Sequence, residues 1–326
     1  MPTDNAWRRS DLSPLFRQRL VDIGDGLQLC VEIAGDDTNP PLLLIAGLGS
    51  QMTFWHDGFV RQLLERGFCV IRFDNRDTGL SSKITVQGLP KTRPLALLAK
   101  MQLGLSNHNA PVAYNLADMA DDVIKLMDYL KRAFGFDAIN LLGVSMGGVI
   151  AQIVAARRPS WVQTLILLFS TTNKPLSPLP YPKQFLTFLR RPASHRERDV
   201  IRHSVWFMTT VGSPGHLDIK GTRAIAKVRY QRSFYPLGVS QQLSAILATG
   251  SIVKYTKAIS APTLVLHGTH DKLLPISHGK YLAKTLPYAT FVPIEGMGHD
   301  IPAYYHAHLA HLISTHYTRH SQSHNQ

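Results

Sequence analysis

An α/β fold built on a mostly parallel sheet is what this 326-residue sequence predicts, and three observations predict it. Short apolar β-like runs alternate with helical patterns through most of the chain, the signature of a parallel sheet flanked by helices. The pentapeptide Gly143-Val144-Ser145-Met146-Gly147 joins a short apolar run to a helix-forming run, which puts a serine on a sharp strand-to-helix turn. The alternation breaks only once, between about residues 171 and 250, which marks an insertion in an otherwise continuous core.

Taken in order, Leu27–Ala34 and Leu42–Ala46 read as strands, divided by the Asp-, Asn- and Pro-rich turn Gly35–Pro41. Phe54–Arg66 has helical spacing and Gly67 ends it; Phe68–Phe73 is the next strand. Tyr114–Phe134 is the clearest helix, with Leu116, Met119, Val123, Leu126 and Leu130 on one face, Asn115 as its cap and Gly135 as its stop. Ala138–Leu142 leads into the serine turn, a helix runs to Arg158, and Thr164–Phe169 is a strand. After the break come the strand Thr263–His267, the helix Ser277–Thr285, the strand Thr290–Ile294 and a helix over Asp300–Tyr317. Pro94–Leu105 is strongly apolar for a connecting segment; core packing is its plain explanation, and an apolar entrance lining the alternative. The predicted organisation is a core over 1–170, a helical cap over 171–250, the rest of the core over 251–318, and a polar, disordered tail over 319–326.

Composition narrows the function classes. Hydrophobic residues at 44% and charged residues at 17% are ordinary for a soluble globular protein. No apolar run is long enough to span a bilayer, and Met1–Arg9 lacks the apolar stretch of an export signal, so the expected location is cytoplasmic. Cys30 and Cys69 sit in strand-like context and are expected to be reduced core thiols, with neither a metal site nor a disulfide framework. The net charge of +13 is concentrated: residues 174–232 hold twelve Lys/Arg against three Asp/Glu. A solvated face is the plain reading, contact with an anionic surface or acidic substrate the sharper one; no nucleic-acid motif accompanies the charge.

The turn at 143–147 carries chemistry. Its tightness leaves no room for side chains two residues either side of the serine, and the following helix aims its N-terminal N–H groups at the hydroxyl. A serine hydroxyl needs a base, and the base an orienting acid. In an arrangement of this kind the acid and then the base follow the serine along the chain, on loops leaving late strands. Asp271 follows the strand Thr263–His267, and His299, in Gly296-Met297-Gly298-His299, follows the strand Thr290–Ile294. Parallel strands end at one edge, so Ser145, Asp271 and His299 are predicted to meet there as a catalytic triad. The oxyanion that forms during acyl transfer needs two backbone donors. Met146 N–H, next to the serine, and Leu48 N–H, in Ala46-Gly47-Leu48-Gly49-Ser50, are the candidates. Phe54 and Trp55, just beyond that loop, are candidate walls of a substrate pocket, with helix-to-sheet packing as their alternative.

With these residues in place the chain resembles the α/β-hydrolase superfamily, and more narrowly the aclacinomycin-methylesterase-like bacterial esterases. The matching stretches are Val70–Ser82, the serine turn, Thr263–Gly268 and Gly296–Pro302. The resemblance runs from about Leu20 to Leu312. It implies an eight-stranded, mostly parallel sheet with a helical cap inserted after the sixth strand, and serine-dependent hydrolysis of carboxylic esters without a cofactor. Ala46 departs from the His that many relatives carry there, which leaves backbone donation untouched. The expected reaction is that of a carboxylesterase acting on small to medium apolar esters through an acyl-enzyme. Carbon–carbon hydrolysis, perhydrolysis and release of N-terminal proline use the same three residues and stay open. A ligand-binding protein on this fold is the alternative from another class, although such proteins often lose part of the triad. Asp74-Asn75-Arg76-Asp77 is read as structural, tying the loop after Phe73 to its neighbours.

Overall fold

A computed structural model describes residues 6–88, 92–105, 107 and 109–321. The strands are β1 (Arg8–Arg9), β2 (Arg17–Gly24), β3 (Leu27–Ala34), β4 (Pro41–Ile45), β5 (Cys69–Phe73), β6 (Ile139–Val144), β7 (Val162–Leu168), β8 (Thr263–Gly268) and β9 (Ala289–Ile294). They form one sheet in the order β1-β2-β3-β5-β4-β6-β7-β8-β9. From β5 to β9 every pairing is parallel, while β1, β2, β3 and β5 pair antiparallel. The expected eight strands are therefore present, with the two-residue β1 added at the edge. β2 carried no apolar signal because its residues alternate between core and solvent, as an antiparallel strand near a sheet edge does.

Helices cover both faces. Their labels are α1 (Asp57–Leu64), α2 (Pro94–Gln102), α3 (Leu116–Phe134), α4 (Met146–Arg157), α5 (Pro182–Phe185), α6 (Glu197–Val211), α7 (Ile219–Arg232), α8 (Pro236–Thr249), α9 (Val253–Lys257), α10 (Ser277–Thr285) and α11 (His306–Ser321). Successive side chains of β4 serve opposite faces: Leu43 and Ile45 join α3 and α4 in one core, Leu42 and Leu44 join α1 and α11 in the other. Asn115 caps α3 through its side chain, with Asp118 bonding back to the Asn115 N–H, and Gly135 ends the helix in the left-handed conformation.

Several expectations shift. The helix predicted over Phe54–Arg66 is a 3-10 turn, Met52–Phe54, then α1, broken at Trp55 and His56. The helix predicted from Asp300 starts at His306, because residues 299–302 are committed to the loop at the sheet edge. α11 runs to Ser321, past the predicted start of the tail at 319, and residues 322–326 lie outside the described residues. The core-packing explanation of Pro94–Leu105 does not hold. That segment contains α2, of which only Leu97 is buried, while Leu95, Leu103 and Leu105 are exposed.

Between β7 and β8 the chain is helical, α5 to α9, and it is tied to the loops at the C-terminal ends of the strands. Arg232 on α7 pairs with the buried Asp74 after β5 at 2.6 Å. Gln242 on α8 accepts from Gly49 N–H at 2.8 Å and donates to Arg76 O at 2.8 Å. Ser213, after α6, bonds Asp300 through its N–H at 2.9 Å and its hydroxyl at 2.5 Å. Among the described residues no helix is long and apolar enough to cross a membrane.

Candidate active site

The serine turn has the backbone its sequence demands. Ser145 sits at φ 52° and ψ −121°, a region that L residues enter only when their surroundings force it. A Cβ on Gly143 would lie 2.4 Å from Gly147 O, and one on Gly147 would lie 2.1 Å from Ile45 O. No relaxation short of moving backbone relieves such contacts: Gly143 is required by the first turn of α4 folding back over β6, and Gly147 by the end of β4 beside it. Ser145 N–H donates to Leu168 O at 3.2 Å, and Ser170 Oγ donates to Ser145 O at 2.8 Å, which anchors the turn to the end of β7.

The three residues predicted to meet do meet. Nε2 of His299 lies 3.1 Å from Ser145 Oγ, and Nδ1 lies 2.7 Å from Asp271 Oδ2. Asp271 is buried, and its second oxygen accepts the N–H groups of Leu273 at 2.9 Å and Leu274 at 2.8 Å. Burial by itself would raise its pKa, but His299 and His267, through charge and hydrogen bonding, reverse this and hold the carboxyl well below the usual carboxylate range. An ionised Asp271 only accepts, so Nδ1–H of His299 donates to it, which leaves Nε2 facing the Ser145 hydroxyl. The geometry and the tautomer together form a relay in which the imidazole can take the serine proton.

His299 is held from several sides. Its N–H donates to Val211 O at 2.8 Å, its ring centroid lies 4.6 Å from that of Phe169, and the preceding Gly298 N–H donates to Ser213 Oγ at 2.9 Å. Asp300 takes two bonds from Ser213, and its carboxyl pKa is raised, burial being the main cause. Phe169, Ser213 and Gln242 were missed by reading the sequence. Phe169 looks there like the last residue of a strand, and Ser213 and Gln242 reach the site only because the helices between β7 and β8 fold back onto it. Asp300 was visible only as the neighbour of His299.

The loop after β4 packs directly on the serine. A Cβ placed on Gly47 would lie 3.3 Å from Ser145 Cβ. Gly49 N–H is taken by Gln242, and Ser50 N–H by Gly47 O at 3.1 Å. Leu48 N–H has no acceptor among the described residues, and Met146, first in α4, has no acceptor within its helix. One unclaimed backbone donor therefore lies on the loop packed against Ser145 and the other directly follows it in the chain.

Trp55 is a correction. Its side chain is 1% exposed and stacks on Phe59 at 6.2 Å within the core shared by α1 and α11, so it cannot wall a solvent-filled pocket. Packing prevails because the 3-10 turn ends at Phe54 and turns Trp55 inward. Phe54 stays half-buried, edge-on to Trp55 at 5.1 Å. The Asp74–Asp77 stretch behaves as structure: Asp74 accepts Met52 N–H at 2.8 Å and Leu80 N–H at 2.9 Å, Arg76 pairs with Asp122 at 2.6 Å, and Asp77 bonds Tyr114 at 2.5 Å. Among the described residues no cluster of His, Cys, Asp and Glu is suited to a metal ion.

Comparison with known proteins agrees with this fold. The family model of the alpha/beta hydrolase fold matches residues 40–303. The chain is 27% identical over 313 residues to rhodomycin D methylesterase DnrP of Streptomyces peucetius, covering 90% of this chain and 95% of that one. It is also 27% identical, over 314 residues, to rhodomycin D methylesterase DauP of Streptomyces sp. strain C5, with the same coverage of 90% and 95%. Among solved structures, a membrane phospholipase A superposes with a TM-score of 0.65 at 23% identity, over 95% of this chain and 86% of that one. The enol-lactonase from Burkholderia xenovorans LB400 superposes with a TM-score of 0.64 at 19% identity, over 92% and 99%.

Proposed function

We propose that this chain, which belongs to the α/β-hydrolase family, hydrolyses carboxylic esters through a Ser145-His299-Asp271 triad and an acyl-enzyme. Its class, a hydrolase of carboxylesterase type, follows from the family and the methylesterase relatives. The finer reading rests on one observation: the unbroken line from Asp271 through His299 to Ser145, with spacings of 2.7 and 3.1 Å.

In this mechanism Ser145 Oγ attacks the ester carbonyl carbon while His299 Nε2 takes its proton. The carbonyl oxygen, now an anion, is bound by the N–H groups of Leu48 and Met146. Asp271 keeps Nδ1 protonated and stabilises the imidazolium. Collapse breaks the bond to the alcohol, which leaves with the proton from His299. Water then attacks the acyl-enzyme with His299 as base, and the acid departs. The reaction needs only these groups and water. The expected substrates are small to medium apolar esters, with Phe54 beside the oxyanion loop as a pocket residue. Residues 171–250 are read as a cap over the site, an assignment supported by their ties to Asp74, Gly49 and Asp300. The expected location is cytoplasmic.

A panel of nitrophenyl esters from acetate to palmitate, with methyl esters of bulky acids, tests the substrate class, and a fluorophosphonate probe tests the nucleophile. Labelling that disappears in Ser145→Ala, with turnover of the shorter or bulky esters, supports the reading. An unlabelled wild-type protein overturns it in favour of a binding role.

A further inference from the structure

The segment that follows β7 wears its polarity inside out. Within residues 174–191 the large apolar side chains Leu176, Leu179, Tyr181, Leu186, Phe188 and Leu189 are exposed, Leu176 by 79%. The side chains that bury there are polar. Ser177 donates to Lys174 O at 2.8 Å, Gln184 to Thr210 O at 2.8 Å, and Thr187 to Gln184 O at 2.6 Å. A segment folded by apolar burial has the opposite arrangement, so burial does not explain these leucines and aromatics.

The segment is also held in place. Leu176 has φ +55°, a left-handed conformation that a branched side chain enters only under constraint. Its N–H donates to Gln102 O at 3.0 Å, and Pro175 lies against Gly104, at the end of α2, where Leu103 and Leu105 are exposed as well. Further along, Tyr181 N–H donates to Lys272 O at 3.0 Å, one residue beyond Asp271. The segment thus stretches from the end of α2 to the loop of the triad acid.

Charge says what would cover it. Residues 174–191 contain Lys174, Lys183, Arg190 and Arg191 and no Asp or Glu. Lys183, Arg190 and Arg191 are exposed, while Lys174 is half-buried with its amine 4.4 Å from the Tyr281 ring centre. Exposed leucines and aromatic rings interleaved with cations are the composition of a surface that enters a headgroup layer. A second copy docked through the same segment would set the same cations against one another with no carboxylate to answer them.

We propose that residues 174–191 dock this protein on an anionic lipid bilayer, the cations against the phosphates and the apolar side chains at the boundary of headgroups and acyl chains. The inference goes beyond the ester-hydrolase reading, since binding is measured without turnover and stands or falls separately from it.

The test is sedimentation of the full chain with vesicles of phosphatidylcholine alone or phosphatidylcholine containing phosphatidylglycerol. The protein should bind the anionic vesicles, bind the neutral ones far less, and release as salt rises. Lys183→Gln/Arg190→Gln/Arg191→Gln should weaken binding about a hundredfold, from the usual contribution of a cation near such a surface. Leu186→Ser/Leu189→Ser should weaken it by about tenfold or more. Both variants should keep the wild-type melting temperature and turnover of a short soluble ester. Tyr181→Trp supplies a readout that alters no charge: its fluorescence should be quenched by brominated acyl chains in anionic vesicles. Absence of vesicle binding, equal affinity for both compositions, an unquenched indole, or variants that bind like wild type would overturn the proposal. Self-association that the serine pair abolishes, without vesicle binding, would overturn it in favour of a second copy.

Discussion

At the serine turn and in the 174–191 segment the chain adopts unusual backbone for different reasons. Ser145 at φ 52° joins buried β6 to buried α4 beside the end of buried β4. Leu176 at φ 55° is held by one backbone bond to the end of α2, and its side chain points into solvent. In the first region strain and burial act together, and the consequence is an aimed hydroxyl. In the second, polar side chains anchor the chain and apolar ones are displayed. A core element can be explained by what it buries; a displayed apolar segment has to be explained by what it meets.

Breaking the first region should have the larger effects. Ser145→Ala should lower kcat by about 10⁶, as loss of the nucleophile does in a comparable triad, with the fold intact by circular dichroism. A variant that keeps a tenth of wild-type turnover would remove Ser145 from the reaction. Asp271→Asn should cost about 10⁴ in kcat, because an amide at that position no longer fixes the His299 tautomer. Steady-state kinetics on one nitrophenyl ester measures both.

Gly147→Ala should lower stability by about 4 kcal/mol or more in denaturant unfolding, since the added Cβ would lie 2.1 Å from Ile45 O. A loss typical of a surface site would mean that the turn is not as tight as described.

A smaller effect should follow acidification. His278 on α10 and His306 and His316 on α11 are buried, and burial lowers the pKa of each, that of His316 to about 4. An unfolded chain binds these protons more readily, so stability is fully present above about pH 6.5 and declines as pH falls toward about 4. The melting temperature should drop across that window. For His316→Asn, whose amide does not titrate, the drop should be shallower.

The second region should be almost silent in stability. Leu186→Ser/Leu189→Ser should change unfolding free energy by no more than about 0.5 kcal/mol per site, as exposed substitutions do. A large destabilisation would mean that these leucines bury after all, and would erase the contrast between the two regions.

The parallel strands were legible in the sequence because buried strands of such a sheet are continuous apolar runs, and β4 to β8 are of that kind. β2 was not, since half of its side chains face water. Ser145, Asp271 and His299 could be picked out because each follows a strand and all parallel strands finish at one edge. Trp55 was misplaced because local spacing cannot say which way a ring turns once a helix breaks at its first turn.

By itself, then, the sequence determined the parallel strands of the core, the serine turn with its obligatory glycines, and that Asp271 and His299 follow late strands. These follow from local chemistry: periodicity, absent Cβ atoms and the direction of parallel strands. Only the tertiary structure decided which side chains hold the site, because Gln242 meets Gly49 and Ser213 meets Asp300 across long stretches of chain. It alone also decided that the leucines of 174–191 face outward. A run of Leu, Phe, Pro and Lys has the same composition whether it folds inward or out, and the hydrogen bonds that tie Leu176, Tyr181 and Gln184 to the rest of the molecule fix which side is shown.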